Sequence, residues 1–174
     1  MGDGGGPAPT SNVASTSNCM TRCPYDPAPD PPHGLNAPNA LDRDAAAEQL
    51  GDICRWPGLT QHEAETAVAR LLTAAIEDSD DTVRESALNA ICNAFECRDL
   101  SLHLVAGLAP CLHTMTAPLL EHALGILGST RNPDACPMIE PYRQHPVDYV
   151  REAAVMALAD LPAQNAPAVT DRNS

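Results

Sequence analysis

The run Val83-Arg84-Glu85-Ser86-Ala87-Leu88 recurs, loosened, as Leu119-Leu120-Glu121-His122-Ala123-Leu124 and again, nearly clean, as Val150-Arg151-Glu152-Ala153-Ala154-Val155. The windows start 36 and then 31 residues apart. A period of this size marks a helical hairpin that cannot bury its apolar face alone and stacks on its copies. The expected fold is therefore all-α, a short solenoid. Such a fold mostly supplies surface, so the repeat says more about architecture than about chemistry.

Composition narrows the function classes. The chain has 174 residues and a formal charge of −13, which repels a phosphate backbone and attracts a basic protein. The expected partner is accordingly a basic protein, with no nucleic acid. All ten cationic side chains are arginine, which excludes Schiff-base and P-loop lysine chemistry. The Ala and Pro load suggests a GC-rich bacterial genome. No stretch approaches the roughly 20 apolar residues of a membrane span, and the N-terminus lacks a signal pattern. The expectation is a cytoplasmic protein without membrane contact, whose seven cysteines are reduced.

Residues 1–37 are mostly Gly, Pro, Ser, Asn and Asp, and 162–174 read alike. Both are expected to be disordered tails, because so little apolar surface cannot offset the ordering entropy. Between them, 38–161 read as the helical domain. A first helix over 39–55 places Arg43 over Arg84 and Arg151, as if it were the second helix of a half-repeat, and Trp56-Pro57-Gly58 stops it. Thr60-x-x-Glu63 is a capping box. It opens a helix with Ala64, Ala67, Val68, Leu71, Leu72, Ala75 and Ile76 on one face. The partner helix turns Val83, Ala87, Leu88, Ile91, Ala94 and Phe95 inward. The next pair is expected over 100–113 and 116–127, with Thr116 as N-cap and Gly128 as the stop. The last pair spans 133–143 and 147–161; Pro137 and Pro141 should leave its first helix short or kinked.

Asp81-Thr82-Val83-Arg84 and Asp148-Tyr149-Val150-Arg151, each on a turn into a second helix, resemble the HEAT-repeat superfamily, the lyase-type HEAT-like repeats in particular. The resemblance covers about residues 40–161. It implies a right-handed α-solenoid of about three and a half HEAT-like hairpins. It also implies that Asp81, Arg84, Asp148 and Arg151 form a structural ladder between neighbouring repeats. Ala117 and Leu120 stand where the middle unit should carry Asp and Arg, so the ladder should break at the centre. Leu120→Arg should be tolerated if that position faces solvent.

Candidate chemistry is sparse. Cys19-x-x-x-Cys23 with His33 offers three metal ligands, but a structural zinc site needs a fourth and a second pair downstream; the bland reading is two tail thiols. Cys54, Cys92, Cys97, Cys111 and Cys136 read as small core residues. Cys111 and His113 sit two apart on a helix and point different ways. Some HEAT-repeat hydroxylases hold di-iron through several His-Glu dipeptides; this chain has only His62-Glu63, already used for capping. Glycosylases on this scaffold need a basic face. Bilin lyases share the subfamily, but no residue here marks a bilin site. No catalytic residue, metal or cofactor is assigned.

A binding surface remains. In this architecture the second helices line the concave face, and Arg84, Glu85, Asn89, Asn93, Glu121, Arg151, Glu152 and Asp160 are the candidate partner contacts. Arg84 and Arg151 read first as structural, since an exposed pair with an acidic turn residue contributes about 0–1 kcal/mol, and second as interface anchors. Helical layers about 8–10 Å apart make a groove about 30 Å long, enough for one small domain or a peptide. The expected function is a non-catalytic interaction module or scaffold whose acidic groove binds one small, basic protein or peptide, as a toxin-neutralising protein would. The alternative is an enzyme or enzyme-accessory protein of the HEAT-like lyase type, which would require a convergent cluster of His, Cys or carboxylates in the groove.

Overall fold

The computed structural model describes residues 1–2 and 33–162. The fold is all-α, with no strand among the described residues. Four helices follow the repeat: α1 (Ala40–Cys54), α3 (Asp81–Cys97), α5 (Ala117–Ser129) and α7 (Asp148–Asp160). Between them lie α2 (Gln61–Glu77), the short α4 (Leu102–Val105), and the short α6 (Cys136–Ile139). Helix α1 packs on α3, α3 on α5 and α5 on α7, while α2 backs α3 and α6 backs α7. Asp44 meets Ser86 and, further along both helices, Gly51 meets Ala90, so α1 and α3 run parallel.

Local signals explain most of the boundaries. The Thr60 hydroxyl accepts from the Glu63 N–H, and the Glu63 carboxylate accepts in return from the Thr60 N–H and hydroxyl, a complete capping box. Asn39 caps α1 by accepting from the Asp42 N–H at 2.8 Å, and Asp80 caps α3 by accepting from the Thr82 N–H at 2.9 Å. One apolar seam runs the length of the stack. Leu50, Leu71, Leu88, Ile91, Leu124 and Leu127 are fully buried in it, and each such side chain contributes about 1.5–3 kcal/mol on burial.

Two glycines act as contact points between helices. A Cβ on Gly51 would sit 2.9 Å from Ala90 Cβ, and one on Gly128 would sit 2.7 Å from Ala157 Cα. Counted from Arg43, Arg84, Leu120 and Arg151, Gly51 and Gly128 occupy the same register, and so do Ala90 and Ala157. The α1–α3 and α5–α7 crossings are thus equivalent. The middle crossing has Cys92 and Ile126 in those places. Gly125, by contrast, faces open space: a Cβ added there would have nothing within 4 Å. Gly125→Ala is therefore expected to stabilise α5 by about 0.5–1 kcal/mol, because the helix interior no longer carries glycine's entropy. Urea denaturation would show it as a raised midpoint with an unchanged slope.

Several expectations need correction. Order begins before residue 38: His33–Asn36 form a 3-10 turn that buries Leu35, with Gly34 against Ala46. The helix expected over 100–113 is not one helix. It is the single turn of α4 followed by a 3-10 segment, Ala106–Thr114, with Pro110 inside it. Pro110 has no N–H to continue an α-helix. Gly128 does not end α5, which runs on to Ser129 with Thr130 as its C-cap; it is the contact with α7 instead. Thr116 stands at the N-cap with extended backbone but makes no side-chain cap. Leu120 does not face solvent: it is 2% exposed. The proline-bearing segment is broken as expected, into 3-10 turns Pro133–Ala135 and Glu140–Gln144 on either side of α6.

Candidate interaction face

The repeat arginines are held by the ends of their own hairpins. Arg84 Nη1 donates to Asp81 at 2.9 Å, and its Nε donates to the Ala75 carbonyl at 3.0 Å. Arg151 donates to Asp148 at 2.7 Å and to the His145 and Pro146 carbonyls at 2.8 and 3.1 Å. Asp81, Arg84, Asp148 and Arg151 therefore tie turn to helix within a unit. They do not form the ladder between neighbouring repeats that the resemblance implied. Each guanidinium is spent locally, on a turn carboxylate and on backbone carbonyls at the end of the preceding segment.

Arg43 makes an ion pair across units. Its Nε and Nη2 donate to both carboxylate oxygens of Asp78, at 2.6 and 2.8 Å, and its Nη1 donates to the Ala37 carbonyl. The Asp78 side chain is 7% exposed. The Arg43 hydrogen bonds hold its carboxyl below the ordinary value of 3.8, against the opposing effect of burial. A depressed folded pKa gives stability that is present above the unfolded value and lost as pH falls through the folded one. Asp78→Asn should therefore be less stable than wild type at pH 7, with the gap closing as pH falls below about 4. Melting curves from pH 7 to 3 would show the two converge; parallel curves would contradict it.

A different set of contacts links one helix of the repeat to the next. The residue after each ladder position is an acid: Asp44, Glu85, Glu121 and Glu152. The residue after that acid, on the following helix, reaches back toward it. Ser86 on α3 donates to Asp44 on α1 at 2.5 Å, and His122 Nε2 on α5 lies 3.9 Å from Glu85 Oε1 on α3. On α7 the matching residue is Ala153, which cannot donate. The row thus passes through the centre of the stack and lapses at Glu121. Glu85, Glu121 and Glu152 are exposed, so the acids present one carboxylate per helix along one face.

The other candidate residues divide between two places. Asn89 and Asn93, with Glu48, Asp52, Arg55 and Ser86, line a cleft of about 400 Å³ between α1 and α3. It is polar, and Arg55 lies 3.4 Å from Asp52. Asp160 lies elsewhere, at the C-terminal ends of α3, α5 and α7, in a cleft of about 570 Å³ with Glu96, Arg98, Asp99 and Arg131. Arg98 is not free there, because it donates to the Cys54 and Trp56 carbonyls. Sequence reasoning missed Asp44, Glu48, Asp52, Ser86 and His122. The signal for Asp44 was present, since it follows Arg43 as Glu85 follows Arg84.

The Cys54 and Cys92 thiols are not prepared for nucleophilic chemistry. Burial pushes Cys54 up to about 11 and Cys92 up to about 12, so both stay protonated near neutrality. Among the described residues no group of three His, Cys, Asp or Glu side chains could hold a metal ion. Cys19 and Cys23 lie outside the described residues, as does the expected tail 162–174 apart from Pro162. No helix among the described residues is long and apolar enough to cross a membrane.

No protein-family model matches the chain, and no curated protein matches it at a significant level. Among solved structures it is similar to an engineered protein whose crystal structure came from the Northeast Structural Genomics Consortium. The TM-score is 0.58 at 17% identity, over 73% of this chain. The match spans 59% of that protein's length. At that identity the likeness concerns the fold alone.

Proposed function

We propose that the chain is a short HEAT-type solenoid that acts as a non-catalytic interaction module, holding one small basic protein or peptide on its acidic face. The observation that carries this reading is the in-register row Asp44, Glu85, Glu121 and Glu152, on a chain of net charge −13. The solenoid reading is supported by the 83/119/150 repeat and by the way each repeat helix packs on the next. Helices pack about 8–10 Å apart. Basic side chains seven residues apart on a helix, about 10.5 Å, come within about half an ångström of the upper end of that interval. Neutralisation of a basic toxin is the most concrete form of such a role.

Electrostatic faces of this kind speed encounter and select partners more than they tighten binding. Replacing Glu85, Glu121 and Glu152 together by Gln is expected to leave the melting temperature within a few degrees, since all three are exposed. Affinity for the basic partner, measured by calorimetry at about 50 mM salt, should fall at least tenfold, roughly 1.4 kcal/mol. An unchanged affinity would show that the row is only a solvated surface.

A further inference from the structure

We infer that the outer face of α7 is a seat for one more helix, supplied by a partner protein and rimmed by basic side chains. The four repeat helices present a seam at the same two positions, the fourth and eighth residues after the ladder position. In α1 they are Ala47 and Gly51, in α3 Leu88 and Cys92, in α5 Leu124 and Gly128, and in α7 Val155 and Ala159. These positions lie one turn apart on one face of a helix. Ala47, Leu88 and Leu124 are wholly buried, and Gly51 and Gly128 lie directly under Ala90 and Ala157 of the following helix. In α7 the same seam is open: Val155 is 52% exposed, Met156 beside it 70%, and Ala159 is exposed as well. An apolar cleft of about 390 Å³ continues the face, lined by Cys136, Leu158 and Leu161 among others. The three inner crossings thus state what covers this seam: a helix with a small or aliphatic residue at the point of closest approach.

Charge selects the source of that helix. Glu152, four residues before Met156, is exposed without an ion-pair partner among the described residues, while Arg151 and Arg143 are already paired with Asp148 and Glu140. A second copy placed two-fold about Met156 would run antiparallel and set Glu152 opposite Asp160 at both ends, acid against acid. At the other end of the stack the outer face of α1 carries Ala45 and Gln49 where α3 carries Ser86 and Ala90, so a head-to-tail copy would bring no donor to Glu152 and a bulkier side chain over Ala159. Residues 163–174 contain Val169 as their only large apolar side chain, too little for a stripe. A basic amphipathic helix satisfies both the seam and its rim. Its register follows from the inner contacts. Ser86 reaches Asp44, and Ala90, four residues on, sits over Gly51. The docking helix should likewise bring a donor to Glu152 and, four residues later, a small residue over Ala159.

This inference concerns the end of the stack and shares only Glu152 with the acidic row. The probe is a synthetic stapled helix of about four turns, with Arg at the donor position, Ala four residues later and Arg along one flank. It is titrated into the isotope-labelled full chain and followed by NMR. The expected result is saturable shifts confined to Val155, Met156, Ala159 and their neighbours. Val155→Asp should weaken binding by about tenfold or more without changing the melting temperature, because Val155 is half-exposed. Glu85→Gln with Glu121→Gln should leave this binding intact, which separates its failure from that of the acidic row. Shifts on α3 instead, or none at millimolar probe, would overturn it. So would a chain dimer in sedimentation that Val155→Asp abolishes, since a second copy would then hold the seat. Deletion of 163–174 that newly exposes α7 amides to exchange would assign the seat to the chain's own end and overturn it too.

Discussion

Leu120→Arg is expected to lower the melting temperature by more than about 10 °C, because it places an unpaired cation in the core. Leu120 is 2% exposed and belongs to the apolar core, on the helix that packs against both α3 and α7. The change forfeits about 2 kcal/mol of apolar burial, and desolvating an unpaired guanidinium adds several more. Arg84 and Arg151 escape that cost at the equivalent position, because Asp81 and Asp148 stand three residues earlier and accept from them. In α5 that place holds Ala117. The double substitution Ala117→Asp with Leu120→Arg should therefore recover part of the loss, with a coupling of about 0.5–3 kcal/mol in a double-mutant cycle. Thermal melts followed by circular dichroism of the four proteins give the cycle directly. A single variant melting within two or three degrees of wild type would mean that the site is open.

Gly128→Ala carries the second large effect, and it comes from one methyl group. The new Cβ would lie 2.7 Å from Ala157 Cα and 2.9 Å from the Ala157 carbonyl oxygen. These are backbone atoms, so no rotamer change relieves the clash and α5 and α7 must separate. Overpacking of this kind costs about 1–3 kcal/mol, and it more than cancels the intrinsic gain of replacing a helical glycine. Gly51→Ala should act in the same direction more weakly, since Ala90 Cβ at 2.9 Å and Cα at 3.1 Å are less close. Gly125→Ala, three residues from Gly128, should have the opposite sign. The contrast between neighbours on one helix separates packing from propensity. Three destabilised variants would mean that propensity arguments fail in α5 altogether.

The sequence exposed the helices wherever apolar residues kept a helical period between clear stop signals. α2 shows this best, from its capping box to the acidic turn at Asp78, and α7 begins within a residue of its expected start. The segment after residue 100 misled for a physical reason. Leu102, Val105 and Leu108 are three apart, a spacing that suits a 3-10 helix and one α-helical face alike. Only Pro110 distinguished them. Gly128 read as a stop because glycine often ends helices; its real role needs Ala157, on another helix of the stack, to be placed beside it. Leu120 read as a gap in a polar ladder when it is an apolar plug.

The candidate face was legible in part. Glu85, Glu121 and Glu152 could be picked out because they sit in the recurring motif. Asp44 escaped because α1 has the arginine of that motif without its valine. Ser86 and His122 escaped because their partners lie on the preceding helix, and contacts between helices leave no mark in local sequence. Asp160 was grouped with the others by helix rather than by place, and its cleft is at the far ends of the helices.

The acidic-module reading is tested most directly by recovering partners from the native cell lysate on the immobilised full chain, at about 50 and 500 mM salt, with identification by mass spectrometry. Surface charge interactions are screened over that range. The account predicts one basic protein retained at low salt, released at high salt, and absent when Glu85, Glu121 and Glu152 are all Gln. A partner that is acidic, that survives high salt, or that binds the triple variant equally well would contradict it.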